Sequence, residues 1–146
     1  MLDRPRKLRT ERASERSADS AMWVDTLYLT HALLEFGLGL IKLRGRYAHE
    51  AGIAKPARSQ MYVRHHGFSL LALALLGALS WWHGLVHDAR TGSMVSAVLA
   101  TFHGGACLSF LVAWLEGAIP GAKVAFPHGP WAVGFLVHAC GVGGTG

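Results

Sequence analysis

Four apolar runs separated by polar stretches organise the chain. The first covers residues 22–41, and a helix of about 20 residues at about 1.5 Å per residue matches a hydrocarbon core of about 30 Å. The second covers 68–87 and the third 93–116. The fourth opens at 130–144 and fades into the glycine-rich stretch 141–146. Runs of this length are about twice what a membrane β-strand needs, which predicts helices. The connection 88–92 is a short polar turn, so the second and third runs are predicted to be antiparallel neighbours. Residues 117–129 carry Pro120 and Pro127 and cannot be one continuous helix. The expected fold is all-α: an integral membrane four-helix bundle with both termini on the same side, preceded by a basic N-terminal tail, residues 1–21.

Aromatic residues test this register, because Trp and Tyr favour the two membrane–water interfaces. On the side that holds both termini the pattern places Trp23, Trp81 and Trp82. On the opposite side it places Tyr47, Tyr62, Trp114 and Trp131. Composition agrees: 16% of residues are charged, against about 25% in ordinary soluble domains. The formal charge of +5 does not point to nucleic acid. The basic residues gather in 1–20 and 42–64, with only Arg90 and Lys123 elsewhere, as expected for cations near anionic headgroups. The expected partners are membrane lipids, including bound lipid, and other membrane protein subunits.

Orientation stays open under the positive-inside rule. Arg4, Arg6, Lys7, Arg9, Arg12, Arg16 and Arg90 on one side balance Lys42, Arg44, Arg46, Lys55, Arg58, Arg64 and Lys123 on the other. The N-terminus does not read as a secretory signal, because its apolar run starts only after Ala21. It is rich in Arg and Ser like a mitochondrial transit peptide, while Asp3, Glu11, Glu15 and Asp19 weigh against that reading without closing it. A bacterial inner membrane and an organelle inner membrane both fit. Cys107 and Cys140 fall inside apolar runs without C-x-x-C spacing and are expected to be buried free thiols.

Ionisable residues at bilayer depth are costly and turn toward a bundle interior. His31 and Glu35 lie four apart on one face of the first run, with Tyr28, Gly39 and Lys42 on the same stripe. His103 shares a face with Ser96, Ala100 and Cys107, and His138 lies between Gly134 and Gly141. In the second run Ser80, His83 and His87 form a stripe beside Gly77 and Gly84. Small residues beside polar ones mark helix–helix contacts. Counting along each run puts His31, Glu35, His103 and His138 near the midplane, where interhelical hydrogen bonding is the plainest role. The chemical alternatives are a haem or chlorophyll-type pigment held by His31, His103 or His138, with His103 and His138 the expected pair at matched depth, and a transition metal. Glu35 with His31 has ligand-like spacing, and His83, His87 and Asp88 can hold a divalent ion near the surface. His65, His66 and His128 border the opposite side. An H-x-x-H-H motif would need histidine where Tyr62 stands, and no nucleophile elbow, phosphate loop or H-E-x-x-H motif is present.

The run LLEFGLGLIKL (33–43), then a cationic connection and RHHGFSLLALALLGAL (64–79), resembles the DoxX-like group of small four-helix membrane proteins. The likeness covers about half of the chain. It implies a four-helix bundle and a redox-linked membrane partner, and matches no catalytic residue position by position. The histidine-rich third and fourth runs depart from it. The first expectation for function is a non-catalytic accessory subunit of a larger respiratory or photosynthetic membrane complex. The second is a haem-, pigment- or metal-binding membrane protein. The third is a small proton-coupled carrier with Glu35 as the protonatable group.

Overall fold

The computed structural model describes residues 4–44, 57–117 and 128–141, with side chains described over 18–44, 61–117 and 128–141. Residues 45–56, with Tyr47, residues 118–127, with Pro120 and Pro127, and the glycine tail 142–146 lie outside these. Among the described residues the chain is all-helical: α1 (Arg4–Leu43), α2 (Ala57–Trp82), a 3-10 turn (Leu85–His87), α3 (Ala89–Leu115) and α4 (His128–Ala139). Three segments, Ala18–Leu43, Met61–Trp82 and Ala89–Leu115, are long and apolar enough to cross a membrane. Large apolar side chains such as Leu33, Leu115 and Val133, each more than 60% exposed, face outward from them and from α4.

Helix α1 begins far upstream of the first apolar run, at Arg4. The stretch 6–21 contains no glycine or proline and is rich in Arg, Glu and Ala, which favour helix. Pro5 falls in the first turn, where the missing N–H breaks no intrahelical bond.

The second helix ends five residues earlier than the expected 87. Gly84 adopts a left-handed conformation, φ 70°, which glycine enters at little cost and which stops the helix. The 3-10 turn then carries His87, so His87 leaves the helical stripe it was expected to share with Ser80 and His83. Asp88 caps α3 by accepting the Thr91 backbone N–H at 2.7 Å. Helix α3 therefore starts at Ala89, not at 93.

By contacts the chain forms two compact units, Tyr28–His83 and the combination of Met1–Leu27 with Gly84–Gly146. In the first, the later part of α1 packs antiparallel on α2. The backbones meet at Gly39 and Gly67: a methyl at Gly67 would lie 3.0 Å from the Gly39 carbonyl oxygen, and one at Gly39 would lie 3.0 Å from the Gly67 carbonyl oxygen. Tyr28, Ala32, Leu70 and Ala74 are buried in this unit.

In the second unit α4 packs antiparallel on α3. Ser93 donates its hydroxyl to the Ala139 carbonyl at 2.6 Å, while His103 meets His128 toward the other end. Helix α1 joins through Leu27, against which any side chain at Gly134 would press.

Helix α4 has 12 residues, about 18 Å, too short to cross a hydrocarbon core of about 30 Å by itself. Trp131 lies in the first turn of α4 and stacks on Phe135 at 6.3 Å. Cys107 is half-buried and Cys140 exposed, which corrects the expectation of two buried thiols. Cys140 sits past the end of α4 and has left the packed face.

Gly67→Val should cost about 1–3 kcal/mol, as overpacking of a close contact does. Denaturant titration followed by circular dichroism checks this, with Gly37→Val as a control because Gly37 has open space around it.

Candidate functional site

The polar side chains predicted to matter fall into groups that belong to one unit or the other. In the Met1–Leu27 and Gly84–Gly146 unit the centre is His138. Its Nδ1 lies 2.6 Å from the Ser96 hydroxyl oxygen, and its ring also hydrogen-bonds the Val86 backbone carbonyl. A carbonyl only accepts and a hydroxyl does either, so a neutral imidazole satisfies both partners. Trp23 meets the same ring edge to face at 6.2 Å. Gly92 makes the approach possible: a Cβ there would collide with the Val86 carbonyl oxygen and stand 3.3 Å from His138 Cε1. His138 thus ties α1, the 3-10 turn, α3 and α4 together.

The second group in this unit is a histidine pair. His103 Nδ1 and His128 Nδ1 are 2.9 Å apart, and both residues are buried. The rings are held by aromatics: His103 stacks on Phe135 at 6.1 Å and meets Phe102 edge to face at 5.3 Å. His128 stacks on Phe110 at 5.7 Å. Lying between His103 and Phe110, His128 places the start of α4 level with Cys107, about 12 Å before the end of α3 by helix rise.

Matched depth therefore belongs to His103 with His128, not to His103 with His138. Ser96, the partner of His138, precedes His103 by two turns of α3, about 10 Å. Two nitrogens at 2.9 Å are too close to bracket a haem iron, which needs roughly twice a metal–nitrogen bond, or about 4 Å. They do match adjacent ligands at right angles about an ion with bonds of about 2.0–2.1 Å.

The surface candidates separate. His87 Nε2 pairs with Asp25 Oδ1 at 2.9 Å, both side chains more than 40% exposed. Asp88 spends its carboxylate on the cap. The Thr91 backbone N–H, and then its hydroxyl, hold the Asp88 carboxyl below the usual carboxylate range. The ionised cap is thus favoured by folding, a contribution present above the ordinary carboxylate range and lost as pH falls through the lowered value.

In the Tyr28–His83 unit, His31 and Glu35 are buried one turn apart, with His31 Nε2 3.9 Å from Glu35 Oε1. Gly77 leaves room for the His31 ring, whose Nδ1 would be 3.7 Å from a methyl there. His83 is exposed just past the end of α2. Toward the opposite end, Lys42 Nζ lies 3.1 Å from His66 Nδ1.

Sequence reasoning missed three participants. Asp25 lies inside the first run and carried no neighbouring signal. His128 was assigned to a boundary because the start of α4 was placed too late. Ser96 was noted only as a small neighbour of His103, although it serves His138. Searches of family models, curated proteins and solved structures with this chain return no match.

Ser96→Ala should destabilise the protein by about 1 kcal/mol, because it strands a nitrogen of His138. A double-mutant cycle with His138→Phe in denaturant titrations measures the coupling, and additive costs would contradict it.

Proposed function

We propose that this chain is a small integral-membrane protein that crosses the bilayer four times, with both ends on one side, and serves as a non-catalytic subunit of a larger membrane assembly. One observation carries the reading. The intramembrane histidines of the Met1–Leu27 and Gly84–Gly146 unit spend their rings on neighbouring elements: His138 on Ser96 and Val86, and His103 on His128. Such bonds join helices where lipid offers no alternative partner. In this reading the fourth crossing is interrupted, with α4 lining α3 from Ser93 to about Cys107 and His128 reaching Phe110. The helical continuation of α1 back to Arg4 supports a docking role. Its 14 residues before Ala18 rise about 21 Å beyond the candidate span and carry six of the basic residues. Extracted in mild detergent and run on native gels, the protein should migrate in a species well above 15.7 kDa plus micelle. Migration as a single small species would contradict the subunit role.

The 2.9 Å separation of the His103 and His128 Nδ1 atoms favours a second reading, in which this pair holds a transition-metal ion with help from ligands beyond it. Elemental analysis of purified protein should then find about one ion per chain, and His128→Phe should remove it. A metal-free preparation that also fails to take up Co²⁺ or Cu²⁺ would end this reading.

A further inference from the structure

We infer that the Tyr28–His83 unit carries a binding site for one anionic phospholipid, with the headgroup at the cationic end of the α1–α2 pair and an acyl chain in the groove beside it. The close crossing at Gly39 and Gly67 sets the arrangement. It brings Lys42 beside Gly67, whose added methyl would lie 3.2 Å from Lys42 Cβ, and lets Lys42 bond His66. The end of α1 with Lys42 and Arg44 therefore meets the part of α2 that carries Arg64 and His66. Arg44 and Arg64 are both exposed. Glu35, one residue before the groove-side Phe36, interacts electrostatically with Lys42, while residues 36–44 and 57–82 contain no Asp or Glu, so the exposed Arg44 and Arg64 carry the charge that a headgroup would meet. In a membrane such a cluster sits at headgroup level and attracts negative charge.

An apolar groove of about 390 Å³ opens on the same helix pair, lined by Leu29, Leu33, Phe36, Leu71, Leu75 and Ala78 among others. Leu71 links the two features: it borders the groove and its side chain would lie 2.8 Å from a methyl at Gly39. From Leu29 to Phe36 the groove runs about 10 Å along α1, toward the bilayer interior from the cations. Its walls offer no hydrogen-bonding side chain, which suits a hydrocarbon chain and not a polar ligand. A cationic cluster beyond one end of a dry groove is the complement of a lipid with an anionic head.

The inference rests on membrane residence but not on the subunit role, so a protein that migrates alone would leave it standing. Its test is titration of the full chain, purified in a neutral mild detergent, with phosphatidylglycerol and with phosphatidylcholine of identical chains, read by native mass spectrometry. One phosphatidylglycerol should bind per chain, at least tenfold more tightly than phosphatidylcholine. Arg44→Gln with Arg64→Gln should lower that affinity roughly 20–30-fold, about fivefold per cation, with helix content unchanged. Ala78→Phe, which fills the groove, should weaken both lipids. Equal affinity for the two lipids, or unchanged phosphatidylglycerol binding in the double variant and in Ala78→Phe, would overturn the site. Full displacement of the lipid by millimolar inorganic phosphate would also overturn it, by showing a simple anion site.

Discussion

In an apolar medium every polar side chain must find its partner within the protein, because an imidazole with an unused nitrogen in lipid costs several kcal/mol. His138 is where such a constraint would act on this chain. Its ring is answered by Ser96 on α3, by the Val86 carbonyl in the 3-10 turn and by the edge of Trp23 on α1. Each contact removes a freedom. The first fixes how far α4 slides along α3, the second fixes the turn between α2 and α3, and the third fixes where α1 joins. Gly92 is the condition for all of this, since a side chain there would occupy the space shared by Val86 and His138.

With the register so fixed, the remaining buried polar groups of that unit follow. Sliding α4 by one turn would part His103 from His128 and break the hydrogen bond between Ser93 and Ala139 together with that of Ser96. The aromatic shell of Phe102, Phe110 and Phe135 around the histidine pair depends on the same register. The Tyr28–His83 unit solves its packing differently. There two glycines, not a polar side chain, set the contact, and their close approach carries Lys42 to His66.

The broad architecture was legible in the sequence because it follows from run length. Three of the four apolar runs correspond to helices long enough to span, and the i, i+4 spacing put His31 and Glu35 on one face as found. Boundaries were less legible. Gly84 sits inside the second run and the pattern alone could not tell a packing glycine from one with φ 70°. The basic segment before Ala18 looked like a tail because hydropathy hid its helix propensity. The depth of His138 failed for a physical reason: depth was counted from an assumed start of a full span, whereas α4 begins part-way along α3. Once that start moved, His128 took the place beside His103 that had been given to His138. The Asp25–His87 pair could not be read at all, since 62 residues separate its members.

Everything above depends on lipid being the medium that the outer faces of these helices meet. The most direct measurement places single spin labels at Leu33, Leu75, Val98 and Val133, exposed apolar positions on α1, α2, α3 and α4, in protein reconstituted into vesicles. Relaxation by oxygen, which concentrates in the bilayer, is compared with relaxation by a water-soluble nickel chelate. The account predicts that oxygen dominates at all four positions. Dominance of the nickel chelate at these sites would mean that water bathes the apolar faces, and the account would fail.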